Sequence, residues 1–320
     1  MITALIELLE VASVGVLAGV IGSVIGLGGG VLLTPILTLF LGVPIKYATG
    51  ASAISTIATS CSAASVYVKN GLANARIGMV IELSTIIGAV IGALTAHYVY
   101  SSGLTWLMYI VFGFMSLISM ILTVRRGRGE PTNVKPPDWT TRVFKLYGKY
   151  YDSSCKSIVE YYGVRWWLAE CILFFSGFSA GMLGIGGGVF NVVGLDWAMN
   201  LPIKIATATS SFIIGATSAT TSMIYWSLGY IHPILAAVSI IGVSIGARIG
   251  ARILSRISGK RVRQIFIMVL GYLSINMILR GVDMSGYIPI PRIQQYAISM
   301  VVAICILFVI LRSPRIGDAR

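Results

Sequence analysis

Two glycine-rich hexapeptides stand inside apolar runs of this chain: GLGGGV from Gly26 and GIGGGV from Gly184. Glycine there gives up helix propensity and side-chain packing, so a bare backbone must serve a purpose at both places. Where a chain breaks and an apolar helix begins, the first N–H groups have no intrahelical partner and carry the positive end of the helix dipole. That arrangement suits an anion. Gly26, Gly28, Gly29 and Gly30, with Gly184, Gly186, Gly187 and Gly188, are therefore candidate substrate-binding positions. The competing use of small residues is close helix packing, and Gly88/Gly92 and Gly246/Gly250 fit that use better. Neither cluster is a nucleotide loop. A dinucleotide fingerprint needs a third glycine where Val31 stands, and a Walker loop needs a GK[ST] that the chain lacks.

Hydroxyl side chains follow each cluster, seven between Thr49 and Ser62 and nine between Thr207 and Ser222. They can donate to anion oxygens along a pathway or bond between helices. Ser52 and Ser210, nearest the shared Pro-Ile-Lys turn, are the first pathway candidates, and Asn191, three residues after Gly188, can turn its amide to the same site. Lys46 and Lys204 either draw an anion into a vestibule or snorkel at a span end. Arg248 and Arg252 offer a gate or snorkel. Glu82 either pairs with Arg76 or couples a proton, and Glu170 and Asp196 are expected near the membrane surface. His97 and His232 stand near span ends. No Ser/His/Asp set or metal-ligand cluster points to an enzyme, and no cofactor or metal is implied.

Such groups need a membrane to hold them. Of the 320 residues 56% are hydrophobic and 11% charged, with mean hydropathy +0.88, against about 25% charged in soluble domains. Apolar runs reach the roughly 20 residues that cross a bilayer, and the alternating pattern of a membrane β-barrel is missing. The segment before Ala12 has no Lys or Arg and carries Glu7 and Glu10, unlike a cleavable signal peptide. The net charge of +13 gathers in loops and at span ends, which is the positive-inside bias rather than a nucleic-acid surface. Cys61, Cys155, Cys171 and Cys305 are far apart. Cys61, Cys171 and Cys305 fall in apolar spans, where packing is expected.

The two halves repeat. A shift of 158 residues aligns 26–93 with 184–251 without a gap, with 24 identities in 68 positions. Basic ends at Lys69/Arg76, at the 125–165 linker, at Arg252–Arg263 and at Arg312–Arg320 face uncharged loops after Tyr100 and at Ser227–Ile231. Equivalent loops thus differ in charge, the signature of an inverted repeat. The expected fold is an all-α polytopic membrane protein of two inverted-topology repeats, with discontinuous or re-entrant helices around a central site. Residues 1–124 form the first repeat and 125–165 a cytoplasmic linker. The second repeat is 166–281, and 282–320 add a further helix and a basic tail. The linker spaces Val143, Leu146, Tyr147, Tyr150, Ile158 and Tyr161 in a way that suits an interfacial helix, a mixed coil or short helix being the alternative. The N-terminus is expected outside and the C-terminus in the cytoplasm.

With its paired glycine clusters and repeated Pro-Ile-Lys-x-Ala-Thr (Pro44 to Thr49, Pro202 to Thr207), the chain resembles the TauE/SafE family of sulfite and organosulfonate exporters over roughly residues 15–280. The resemblance implies a plasma-membrane permease for a small sulfur-containing anion, with the glycine regions around the substrate. Export of sulfite or an organosulfonate by alternating access is the leading expectation. The rivals are an anion channel, an uptake permease for thiosulfate- or sulfate-like anions, and a sulfur-relay membrane component. The expected partners are the anion and the bilayer, with room for a homodimer and no nucleic acid. Pro35 faces Val193 across the repeat, so the two half-helices are not equivalent.

Overall fold

A computed structural model describes residues 2–39, 41–125, 136–152, 157–286 and 295. Apart from residue 295, the proposed C-terminal helix 294–312 lies outside the described residues, as do the basic tail, Cys155 and Cys305. The described chain is an all-α polytopic membrane fold. In hydrocarbon every backbone group must be satisfied within the protein, and the helix does this locally. The first half contains α1 (Ile2–Ile25), α2 (Gly30–Leu39), α3 (Ile45–Lys69), α4 (Ala75–Ser101) and α5 (Thr105–Arg125). The second contains α7 (Trp166–Leu183), α8 (Gly188–Val193) with a π-helical turn Gly194–Ala198, α9 (Ile203–Ser227), α10 (Pro233–Arg256) and α11 (Gly259–Met284). Among the described residues, α1, α3, α4, α5, α7, α10 and α11 are long and apolar enough to cross a membrane. Helix α9 is as long as α3, but its hydroxyls dilute its hydropathy and it is largely buried.

At about 1.5 Å per residue, α2 spans about 15 Å, half of a hydrocarbon core. Pro44 and Pro202 begin α3 and α9 with nearly the same backbone, φ −54°, ψ 136° and φ −56°, ψ 140°. A proline there lacks only an N–H that the helix could not have used.

Glycine seams set the packing. Helix α1 runs parallel to α10: Gly15 abuts Gly242, Gly19 abuts Val243, and Gly250 abuts Val20 and Ser23. Helix α4 runs parallel to α7 in the same way, Gly177 against Thr85, Gly88 against Phe174 and Phe178, and Gly181 against Ala89. Helices that correspond under the 158-residue shift run antiparallel where they touch. Gly50 near the start of α3 meets Tyr230 just past the end of α9, and Asn74 past the end of α3 bonds Thr209 near the start of α9 (3.1 Å). Trp106 and Ile110 meet Gly281, and Gly113 meets Ser274 and Ile278, across α5 and α11.

The linker is not an interfacial helix. After a short α6 (Trp139–Val143), strands β1 (Tyr147–Asp152) and β2 (Ser157–Tyr162) pair antiparallel, with Lys149 opposite Glu160 and Tyr150 opposite Val159. Lys145 takes φ +52°, which no helix continues through, and the tyrosine, valine and isoleucine content favours strands. Tyr150 and Tyr161 turn inward while Tyr147, Tyr151 and Ile158 are exposed. Asp138 ties this unit down. Its carboxylate caps α6 by accepting from the Thr141 N–H (2.8 Å), and it accepts from the Thr140 and Thr141 hydroxyls and the Arg165 N–H (2.7 Å).

Two outcomes follow from these contacts. A Cβ on Gly181 would run into the Ala89 carbonyl, so Gly181→Val should lower the melting temperature of the purified protein by an overpacking cost of about 1–3 kcal/mol. Leu94→Ala, on the exposed face of α4, should leave it nearly unchanged. The second concerns pH. Burial alone would raise the Asp138 carboxyl, but the hydrogen bonds from Thr140, Arg165 and Thr141 outweigh it and hold it at about 2, below the ordinary 3.8. A lowered folded value means that the tie is fully present above about pH 4 and is lost as pH falls toward 2. Amide exchange of residues 138–165 should accelerate over that window, and Asp138→Asn should show fast exchange already at neutral pH. Flat exchange between pH 4 and pH 2 would contradict the assignment.

Candidate functional site

Each glycine cluster is a turn in which the chain reverses. Gly26 (φ +73°) and Gly184 (φ +65°) take left-handed conformations just past the ends of α1 and α7. A side chain is also excluded there: a Cβ on Gly26 would lie 2.7 Å from the Thr207 carbonyl oxygen, and one on Gly184 would run into the Thr49 carbonyl. Thr49 and Thr207 correspond under the 158-residue shift. Each turn is thus pressed against the opposite half at the same place.

The chain leaves each turn by the end through which it came. Helix α2 runs back along the first turns of α3, from Gly30 beside Ser52 and Thr56 to Thr34 and Pro35, which line one cavity with Ile45 and Thr49. In the second half, the chain past the π-helical turn returns to the start of α7, where Val164 N–H donates to the Met199 carbonyl (3.1 Å) and Arg165 Nη2 to the Trp197 carbonyl (2.9 Å). Helices α1 and α2 therefore dip in from one end of the bundle, and α7 and α8 from the other.

The two tips meet. Gly188 packs on Leu27, a Cβ on Gly30 would lie 3.3 Å from the Gly184 carbonyl oxygen, and Gly28 and Gly186 both sit against Thr56 and Ile214. Side chains of α3 and α9 bond the turns: the Ser52 hydroxyl donates to the Gly30 carbonyl (3.0 Å) and the Ser210 hydroxyl to the Gly26 carbonyl (2.7 Å). Ser176 donates to the Gly187 carbonyl. These serines stabilise the broken backbone directly. Around the tips, several fully buried polar atoms make no hydrogen bond within the described protein. They are both amide atoms of Asn191, the Thr207 and Ser218 hydroxyls, and the Thr34 hydroxyl. A buried polar group left unpaired costs free energy.

With this geometry in view, comparison with known sequences decides the family. Residues 11–277 match the family described as Sulfite exporter TauE/SafE. The chain belongs to the TauE/SafE family. It is 30% identical over 277 residues, 84% of this chain and 96% of the relative, to the probable membrane transporter protein YunE of Bacillus subtilis. It is 26% identical over 282 residues, 83% of this chain and 93% of the relative, to the probable membrane transporter protein MJ0441 of Methanocaldococcus jannaschii. No solved structure matches it. This TauE/SafE chain is a membrane transporter and not an enzyme.

The remaining sequence candidates scatter through the TauE/SafE fold. Lys46 is exposed, its Nζ 4.8 Å from the Tyr47 ring centroid, whereas Lys204 is 1% exposed. The two repeated lysines thus occupy different environments, and Lys204 does not line an open vestibule. Arg248 stands in a surface groove with Lys69, Arg252 and Arg256. Glu82 is half-buried, and ion pairing with Arg76 is not seen: between described residues the ion pairs are Arg263–Asp196 and Arg280–Asp283. Asp196 is not at the surface but in a buried pair with Arg263 (2.9 Å), and Glu170 accepts from the Ser84 hydroxyl between α7 and α4. Cys61 and Cys171 are exposed on their helices instead of packed in the core.

Sequence reasoning missed two tyrosines. Tyr67 OH donates to the Ser23 carbonyl (2.6 Å), and Tyr225 OH to the Gly181 carbonyl (2.7 Å), one turn before each glycine break. Both rings are fully buried. The tyrosines correspond across the repeat, as do Ser23 and Gly181, so their identity in the self-alignment was the available signal. Each bond is worth about 0.5–1.5 kcal/mol. Tyr67→Phe and Tyr225→Phe should each lower the melting temperature, while Tyr98→Phe, 70% exposed, should not. Unchanged melting in both buried variants would show that these phenols do not hold the turns.

Proposed function

We propose that this protein is a secondary transporter that moves a small sulfur-containing oxyanion, such as sulfite or an organosulfonate, out of the cell across the plasma membrane. The observation that carries the reading is the meeting of two glycine turns, entering from opposite ends, beside the unpartnered Asn191, Thr207 and Ser218 groups. Helix α2 begins there, and the dipole and free N–H groups of a helix start favour an anion. The matched family's description as a sulfite exporter is consistent with this cargo. The antiparallel pairs α3/α9 and α5/α11 support reading the halves as inverted repeats, an architecture that places substrate at the repeat interface.

Alternating access is favoured over a channel by the cavity beside the tips. Lined by Leu183, Ile185, Met108, Met277 and neighbours, it measures about 20 Å³, room for about one water. An oxyanion passes only if these walls move. Lys69, Arg125 and Arg256 end α3, α5 and α10 at one end of the bundle, and the positive-inside bias assigns that end to the cytoplasm. The start of α1 then lies outside. With the interior negative, an outgoing anion gains about 2.3 kcal/mol per charge per 100 mV, so export needs no energised co-substrate.

The test is counterflow in proteoliposomes, with sulfite, sulfoacetate, taurine, thiosulfate and sulfate as competitors. Saturable, trans-stimulated flux of sulfite or sulfoacetate is expected. Asn191→Leu copies Leu33 of the first half and removes a bond to a charged ligand worth about 1.5–3 kcal/mol. It should cut transport at subsaturating substrate roughly 10- to 100-fold without lowering the melting temperature. Full transport by this variant would remove Asn191 from the site, and non-saturating flux in the parent protein would favour the channel.

A further inference from the structure

A second anion-binding feature lies away from the glycine tips. A groove of about 610 Å³ opens where the ends of α3 and α10 lie side by side, lined by Ser65, Val66, Lys69, Asn70, Arg248, Arg252, Ser255 and Arg256. Four of these residues are cations and none is acidic. All four cations are exposed, so this is an accessible positive surface and not a neutralised core pair. Arg248, Arg252 and Arg256 recur at every fourth residue of α10, a ladder about 12 Å long.

Two observations say what covers it. First, α10 carries a second row beside the ladder, Ile241, Ile245, Ile249 and Ile253, all exposed. The groove is therefore continuous with an apolar ridge on a membrane-crossing helix. A free ion in water has no use for that ridge, whereas an amphiphile with an anionic head does. Second, the other half provides an internal control. The positions corresponding to Lys69, Arg248, Arg252 and Arg256 are Ser227, Val90, Leu94 and Tyr98. The corresponding positions at the other end of the bundle carry no Lys or Arg, with His97 at the place of Ser255. Packing of α3 against α10 thus does not require the charges, and their presence at one end follows the side of the membrane.

We propose that this groove binds the headgroup of an anionic phospholipid, with the phosphates held by Arg248, Arg252, Arg256 and Lys69 and an acyl chain lying along the Ile245–Ile249–Ile253 ridge. Arginine matches phosphate with paired N–H donors, and basic pockets between membrane helices favour such headgroups. A ladder of about 12 Å accommodates more than one phosphate, so a lipid with two phosphates should bind more tightly than one with a single phosphate.

The full chain, purified in detergent, tests this by native mass spectrometry and thermal shift with three lipids: cardiolipin, phosphatidylglycerol and phosphatidylcholine. Bound cardiolipin and a raised melting temperature are expected, with a smaller effect of phosphatidylglycerol and none of phosphatidylcholine. Arg252→Gln should weaken cardiolipin binding roughly fivefold, and Arg248→Gln/Arg252→Gln/Arg256→Gln more than 50-fold, from about 1 kcal/mol per cation. Lys260→Gln, an exposed cation at the same end outside the groove, should change nothing. Should the triple variant fail to fold, the single Arg252→Gln series decides. Equal retention of phosphatidylcholine, or undiminished cardiolipin binding in Arg252→Gln, overturns the proposal. So does displacement of cardiolipin by millimolar inorganic phosphate or sulfite, which would make the groove a free-anion site.

Discussion

A polypeptide that stops and turns inside a membrane exposes backbone N–H and C=O groups where no water can take them. The rest of this structure answers that constraint. The turn at Gly26 is accommodated because Ser210 takes the Gly26 carbonyl and Ser52 takes the Gly30 carbonyl. The turn at Gly184 is braced by Ser176 at the Gly187 carbonyl. Tyr67 and Tyr225 reach the carbonyls of the helix turn before each break. The turns also hold each other, through Gly188 on Leu27 and Gly30 by Gly184. Most of these bonds come from the half that carries the tip, and Ser210 of α9 adds one from the opposite half at the Gly26 carbonyl. These hydroxyls are internal solvent for a broken backbone as well as candidates for a pathway.

Near-symmetry of the scaffold makes the exceptions informative. Where both halves agree, as at Thr49/Thr207, Ser52/Ser210 and Tyr67/Tyr225, the residues serve the turns. Elsewhere the second half buries polar and charged groups that the first half does not. Asn191 replaces the apolar Leu33 in the second tip and brings a buried amide with no hydrogen-bond partner among the described residues. Lys204 is buried where Lys46 is exposed. Asp196, at the position of Thr38, forms a buried pair with Arg263. Removing one partner of such a pair would leave an uncompensated buried charge, so the pair ties the π-helical turn to α11. Among the described residues the first dipping segment has no such ion pair, and its α2 runs for 10 residues with Pro35 inside it.

How much of this could be read from the sequence depends on whether the signal was local or repeated. The membrane class, the shortness of the dipping helices and the importance of the glycine clusters were legible because apolar runs and glycines act locally and occur twice. The glycine seams at Gly88/Gly92 and Gly246/Gly250 were legible as packing, although their partners Gly177/Gly181 and Gly15/Gly19 were not, since spacing within one helix says nothing about which helix it meets. The linker was misread because Val143, Leu146, Tyr147 and Tyr150 fit a helical spacing while Lys145 adopts a left-handed backbone that no pattern announces. The Asp196–Arg263 pair, 67 positions apart, and the exposure of Cys61 and Cys171 depend on tertiary placement alone.

The seams also bear on how the tips can separate. Helices α1 and α10 interlock through backbone on both sides, and so do α4 and α7. Each interlocked pair joins one helix from each half. Sliding within a pair would drive glycine-sized gaps against carbonyl groups, at the cost of overpacking repeated along the seam. By contrast, the tips touch α3 and α9 through a few contacts at Thr49, Thr56, Thr207 and Ile214, bordered by unpartnered hydroxyls and a cavity. A rearrangement that opens the centre therefore meets least resistance where the interlocked pairs adjoin α3 and α9. There the turns rest on the Thr49 and Thr207 carbonyls and on the Thr56 and Ile214 side chains, and a polar ligand could take up the hydrogen bonds that opening leaves unmade.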